Sequence, residues 1–195
     1  MAGVRIRRVT ADDAAAIATI YAPYVRTTAV SFELEAPDIA EIAARIASGG
    51  DLYPWLVACD DRGGLLGYAY AAAFRSRPAY RFAVETTVYV AEGAHRRGIG
   101  GALYRALLPV LEAQGYTQAI GAITVPNDAS IRLHEAFGFV RAGTYEQVGY
   151  KLGEWRSVGL WQRPLAPMQA EPEEPRPVSA VWRLPESHPG EGRDP

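Results

Sequence analysis

The chain has 195 residues, 49% hydrophobic and 22% charged, proportions that suit one globular domain with a real core. Its 20 basic and 22 acidic residues leave a formal charge of −2 and a pI near 6.0. That balance provides no field for sequence-independent attraction to nucleic acid or anionic lipid, so neither is expected as a partner. Cys59 is the single cysteine and rules out an intrachain disulfide framework. With no charged-then-apolar leader and no run of about 18 apolar residues, a cytoplasmic protein is expected. Cys59 ends the apolar run Trp55-Leu56-Val57-Ala58-Cys59 and reads as a small buried side chain rather than a nucleophile. Every basic residue but Lys151 is arginine, which reads as codon bias before it reads as anion binding.

In chain order, Val4-Arg5-Ile6-Arg7 alternates as a strand. Thr10 then stands as an N-cap three residues before Asp13, ahead of Ile17, Ile20, Tyr21 and Tyr24 at helical spacing. A second helix is expected to begin at Pro37, a favoured first position, and to carry Ile39, Ile42 and Ile46 on one face until Gly49-Gly50 stops it. Apolar runs at 55–59 and 65–72 flank Asp60-Asp61-Arg62-Gly63-Gly64, a composition that suits a hairpin turn. A strand at 86–91 precedes a helix carrying Leu103, Leu107 and Leu111 and ending at Gly115, with Pro109 expected to kink it. A strand at 116–124, a helix at 128–137 and two late strands near 145–150 and 155–162 complete a mixed α/β sheet. Seven of the 14 prolines fall in the last 29 residues, so 167–195 reads as a flexible Pro-rich tail on a domain of residues 1–166. Within it, Val181-Trp182-Arg183-Leu184 has the composition to dock locally.

The densest chemical signal is Val88-Tyr89-Val90-Ala91-Glu92-Gly93-Ala94-His95-Arg96-Arg97-Gly98-Ile99-Gly100-Gly101, a strand, a short basic loop, close glycines and a helix start. Amides at a helix N-terminus bind phosphate oxygens, and glycines let a phosphate approach. A P-loop would share the gap between Gly93 and Gly98, but Ile99-Gly100 stands where it needs Lys and Ser or Thr. A dinucleotide-binding turn would share Gly98 and Gly100, but Leu103 replaces its third glycine and no acidic residue follows at about 20 positions. His95-Arg96-Arg97-Gly98-Ile99-Gly100 instead resembles the Gln/Arg-x-x-Gly-x-Gly/Ala loop of the GNAT acetyltransferases, with His95 at the first position. A second segment, Asn127-Asp128-Ala129-Ser130-Ile131-Arg132-Leu133-His134-Glu135-Ala136-Phe137-Gly138-Phe139, resembles that family's Asn-x-x-(Ala/Ser)-x-x-x-Tyr-x-x-x-Gly-Phe pattern, with His134 for Tyr. Tyr53-Pro54-Trp55, Glu85 within Val84-Glu85-Thr86-Thr87, and His134 are similar to the branch acting on phosphinothricin and on methionine sulfone or sulfoximine, over residues 4–163.

The resemblance implies the GNAT acyl-CoA N-acyltransferase fold, a mixed and largely antiparallel sheet with helices on both faces. It implies an N-acetyltransferase using acetyl-CoA and no metal, with direct transfer to a small amino-acid-like substrate. The strands at 86–91 and 116–124 would splay, letting the pantetheine arm bond to amides of Val88, Tyr89 and Val90. The pyrophosphate would meet Arg96, Arg97, Gly98, Ile99, Gly100 and Gly101, with Asn127 and Ser130 completing the acetyl-CoA site. Attack on a thioester needs a neutral amine, and Glu85, among apolar and hydroxyl neighbours, is the candidate base, directly or through a water. His134 is the candidate proton donor to the departing thiolate, with Tyr104 as second choice. Arg75 and Arg77, two residues apart, would face one side if the stretch is extended, and each can clamp an oxyanion. Phe32, Ser76, Tyr80, Thr86 and Thr87 are the further substrate contacts that the resemblance implies. It also implies a homodimer, with Trp155 and Trp161 of the late hairpin as interface candidates. Other N-acetyltransferases of this fold and a silent acyl-CoA sensor are the rival readings.

Overall fold

The computed structural model describes residues 3–182. Its seven strands are β1 (Arg5–Arg8), β2 (Trp55–Cys59), β3 (Leu65–Ala73), β4 (Ala83–Val90), β5 (Gln118–Val125), β6 (Val140–Lys151) and β7 (Glu154–Pro164). The helices are α1 (Ala14–Thr27), α2 (Ile39–Gly49), α3 (Ile99–Gln114), α4 (Asp128–Ala136) and the short α5 (Val178–Val181). The strands form one sheet in the order β1-β2-β3-β4-β5-β7-β6. Only β4 and β5 run parallel, so the expected mixed, largely antiparallel sheet is present.

Strand alternation sends successive side chains to opposite faces, and the two faces carry separate cores. Leu56, Ala58, Ala69, Ala71 and Val84 pack with Leu103, Leu107 and Leu111 of α3. Trp55, Val57, Cys59, Tyr68 and Tyr89 pack with Ile17, Ile20 and Tyr21 of α1 and Ile42 of α2. Cys59 is a buried free thiol of this second core.

Local chemistry sets the element ends. Asp13 accepts from the Thr10 amide at 2.7 Å and takes a bidentate pair of bonds from Arg7, tying β1 to the 3-10 turn at 11–13 that leads into α1. α2 begins at Ile39, two residues later than the start expected at Pro37, because Asp38 caps it: its carboxylate accepts from the Glu41 amide at 2.8 Å. Asp60 closes the β2–β3 turn by accepting from the amides of Arg62 and Gly64. α3 runs through Pro109 without interruption, held by the buried Leu103, Leu107, Leu108 and Leu111. Trp161 is a core residue, 2% exposed, with its indole nitrogen on Glu135. It is a member of the core with Phe137 and Phe139 rather than an exposed interface aromatic.

The expected tail is, through Trp182, a strap docked on the domain. Leu165 donates to Thr117, Arg176 accepts from the Gln114 side chain at 2.8 Å, and the Arg176 guanidinium donates to the Ala113 carbonyl at the end of α3. Val178 is fully buried and its amide donates to Asp51. The strap satisfies carbonyls that the end of α3 would otherwise leave unpaired. Arg183 and Leu184, the rest of the docking stretch, lie outside the described residues. Val178→Asp places a carboxylate in that buried seat and is expected to cost about 2–4 kcal/mol by urea unfolding. An unchanged midpoint would show that the seat does not hold the strap.

Candidate active site

β4 and β5 pair only at Ala83–Gln118, Val84–Ala119 and Glu85–Ile120. β4 continues to Val90 and β5 to Val125, so past that register their facing backbone groups have no partner in each other and a crevice opens. The other edge of β4 stays paired with β3 through Val90. The crevice lies between Thr86, Thr87, Val88 and Tyr89 on one side and Ala122, Ile123 and Thr124 on the other. Asn127, Ser130 and His134 of α4 border it, as does Val30 from the α1–α2 connection.

Past β4 the chain turns through Arg96 (φ 59°) and Gly98 (φ 78°) into α3. The Ala102 amide is the first to bond back, to Gly98 at 2.9 Å, which leaves the amides of Ile99, Gly100 and Gly101 outside the helical ladder as an anion seat. The exposed Arg96 and Arg97 flank it. The glycines have different reasons for being there. Gly98 supplies the left-handed turn, whereas a Cβ on Gly100 would lie 3.0 Å from the Leu133 side chain, so that glycine serves the packing of α3 on α4. His95 turns back toward the sheet: its Nε2 is 3.0 Å from the Tyr24 hydroxyl and 3.1 Å from the Val90 carbonyl, to which Tyr24 donates at 2.6 Å.

Alternation along β4 divides the candidate residues. Glu85 and Thr87 share the face of the buried Tyr89, while Thr86 shares that of Val84 and Val88. Burial pushes the Glu85 carboxyl above the usual range, and Arg75 opposes this without cancelling it. The Arg75 guanidinium lies over the Phe74 ring and 3.4 Å from the Tyr145 hydroxyl. The premise that would put Arg75 and Arg77 side by side fails, because β3 ends at Ala73 and the segment bends into a 3-10 turn begun by Pro78. Arg77 and Ser76 are exposed, Tyr80 packs edge-on to Phe74, and the structure ties only Arg75 to Glu85. Phe32 lies against Gly149 of β6.

Thr86 is not a free substrate contact through its side chain. Its hydroxyl is buried, 3.3 Å from the Tyr104 hydroxyl and 3.4 Å from the Ile120 carbonyl. Tyr104 continues the chain to His134 Nε2 at 2.9 Å, and His134 Nδ1 lies 2.8 Å from the Ser130 carbonyl. A carbonyl only accepts, so Nδ1 carries the proton and Nε2 accepts from Tyr104. Both nitrogens are engaged, and the neutral ring has no spare N–H for a leaving group. Burial holds the His134 pKa below its ordinary value, with the Ser130 carbonyl opposing. Asn127 Oδ1 caps α4 by accepting from the Ser130 amide at 3.2 Å. Gly121 makes room for the imidazole, since a Cβ there would lie 2.5 Å from the ring. Sequence reasoning passed over Gly121, although a glycine inside a strand marks such a close approach.

The chain matches the Acetyltransferase (GNAT) domain over residues 6–157. The phosphinothricin N-acetyltransferase of Streptomyces viridochromogenes is 42% identical over 181 residues, covering 93% of this chain and 96% of that protein. The L-methionine sulfoximine/L-methionine sulfone acetyltransferase of Pseudomonas aeruginosa is 39% identical over 120 residues, 62% of this chain and 70% of that protein. A crystal structure of a GNAT superfamily phosphinothricin acetyltransferase from Sinorhizobium meliloti, in complex with AcCoA, superposes with a TM-score of 0.84 at 39% identity, covering 88% of this chain and 94% of that one. The chain belongs to the GNAT acetyltransferase family.

Two measurements follow from the buried groups. Nitrogen-15 NMR is expected to show His134 as the Nδ1-protonated neutral tautomer at pH 7, titrating below the ordinary value of about 6.5; the Nε2-protonated form would overturn the assignment. Glu85 has a raised folded pKa, so its ionisation weakens the fold as pH rises through that value. Glu85→Gln is therefore expected to raise Tm at pH 8 but not near pH 4, where the carboxyl is protonated in both states.

Proposed function

We propose that the protein transfers the acetyl group of acetyl-CoA directly to the α-amino group of an amino-acid analogue of the phosphinothricin, methionine sulfoximine or methionine sulfone type. The observation that carries this reading is Glu85, a half-buried carboxyl at the last paired register before β4 and β5 part, which feels the charge of Arg75. The relatives named for these substrates support the substrate class.

The crevice and its unpaired strand edges suit a pantetheine arm, and the free amides at 99–101 with Arg96 and Arg97 suit a pyrophosphate. On this reading the amides of Val88, Tyr89 and Val90 hold the arm, with Asn127 and Ser130 beside it. Arg75 meets the substrate's anionic group, Phe32, Thr87 and Tyr80 border it, and Arg77 and Ser76 would have to close in from the exposed bend. Glu85 takes a proton from the substrate ammonium, directly or through a water. The neutral nitrogen attacks the thioester carbonyl, forming the C–N bond, and an amide on the open edge of β4 stabilises the oxyanion. The oxyanion re-forms the carbonyl as the C–S bond breaks, the attacking nitrogen gives up its second proton, and the thiolate sulfur takes one up. His134 supplies it only after being protonated at Nε2, with the Tyr104 hydroxyl turning to accept; burial makes such an imidazolium give its proton up readily.

A cytoplasmic setting agrees with the free thiol of Cys59. A homodimer would use the exposed Val148, Tyr150, Leu152 and Trp155 of the β6–β7 hairpin.

A thiol-release assay tests the reaction. Turnover is expected with phosphinothricin or methionine sulfone and not with spermidine or a basic peptide, and the reverse preference would overturn the substrate class. Glu85→Gln should lower kcat by about 10²–10⁴-fold while acetyl-CoA affinity is kept. No turnover in either protein, with acetyl-CoA still bound, would leave the acyl-CoA sensor as the better reading.

A further inference from the structure

Residues 28–38, between α1 and α2, border the crevice at Val30 and reach the β6–β7 hairpin, which forms the far edge of the sheet. Two contacts pin the segment there. Lys151, the single lysine of the chain, is 5% exposed, and its ammonium donates to the Ser31 carbonyl at 2.6 Å. The next residue, Phe32, presses its ring on Gly149, where a Cβ has no room. Ser31 is buried with its hydroxyl 2.6 Å from that of Tyr21. Glu33 accepts from Tyr21 at 2.9 Å and from the Arg45 guanidinium at 2.6 and 3.2 Å, and its charge acts on Lys151. An ammonium withdrawn from water is costly unless such partners compensate it. A lysine suits the position because its compact head on a thin stem reaches one carbonyl, where a planar guanidinium would present five donors.

We propose that Lys151 is a positioning residue for the amine substrate. It latches the α1–α2 connection onto the end of β6, and so sets the place of Phe32, two residues from Val30 on the rim of the crevice. The hairpin thereby shapes the amine site without contributing a reacting group. The inference rests on the amine-acetyltransferase reading for its kinetic consequence, and on the contacts alone for the latch.

The test is Lys151→Met, which keeps the stem and removes the donors, with Gly149→Ala as a second variant that displaces Phe32 without touching charge. Hydrogen exchange at residues 28–36 is expected to quicken by about tenfold in Lys151→Met, with 86–90 unchanged. KM for the amine should rise about tenfold in both variants while KM for acetyl-CoA holds, and Lys151→Met should add little in a Phe32→Ala background. Unchanged exchange at 28–36 would overturn the latch. Both KM values rising together, or full additivity with Phe32→Ala, would overturn the positioning role in favour of plain stabilisation. If the wild-type protein acetylates none of the amines tested, the proposed function falls, and the exchange measurement still decides whether the latch exists.

Discussion

Once β4 and β5 part after Glu85 and Ile120, every other feature of the site has to answer to that opening. Two adjacent strands without a shared ladder expose backbone donors and acceptors that a closed sheet would consume, at a cost in stability that a ligand can offset. The opening is tolerated because β4 is held along its other edge by β3 and β5 by β7, so each strand keeps its direction without its neighbour. The turn into α3 follows directly from the end of β4 and presents its free amides near the strand end, where Tyr24 and His95 gather at the Val90 carbonyl.

The sheet also separates Glu85 from His134. Glu85 and Thr87 face the side covered by α1, α2 and their connection, while Thr86 faces Tyr104 and His134. An amine approaching from the first side and a thiol departing past the second would meet their partners across the crevice rather than within one pocket. The buried chain from Thr86 through Tyr104 to His134 and Ser130 leaves the imidazole oriented and neutral, so its tautomer is a property of the packing and not of solvent.

Close approaches at glycine give the arrangement its shape. Gly121 admits the His134 ring, Gly100 admits Leu133, and Gly149 admits Phe32. In each case the absent side chain belongs to one element and the beneficiary to another, so the packing role of each glycine shows only once the elements are in place. Lys151 has the same character: in the sequence it is the odd lysine among arginines, and in the fold it is buried against Ser31.

Element type and order were legible in the sequence because they depend on periodicities of two and 3.6 residues and on glycine at helix ends, all of which are short-range. The turn into α3 was legible for the same reason, since His95 to Gly101 is one contiguous glycine-rich stretch of sequence. The resemblance to the phosphinothricin and methionine sulfone or sulfoximine branch offered Glu85 and His134 as candidates. What only tertiary structure decided depends on residues distant in sequence. That Thr86 meets Tyr104 and His134 while Glu85 meets the other layer follows from which side of β4 receives α3. The separation of Arg75 from Arg77 follows from where β3 stops pairing. The burial of Trp161 follows from its packing with Phe137 and Phe139 and its bond to Glu135, and the docking of residues 165–182 follows from the unpaired carbonyls at the end of α3 and the seat that Val178 fills. Local sequence sets the backbone's repeating geometry, whereas burial and hydrogen-bond partnership are settled only when the elements pack.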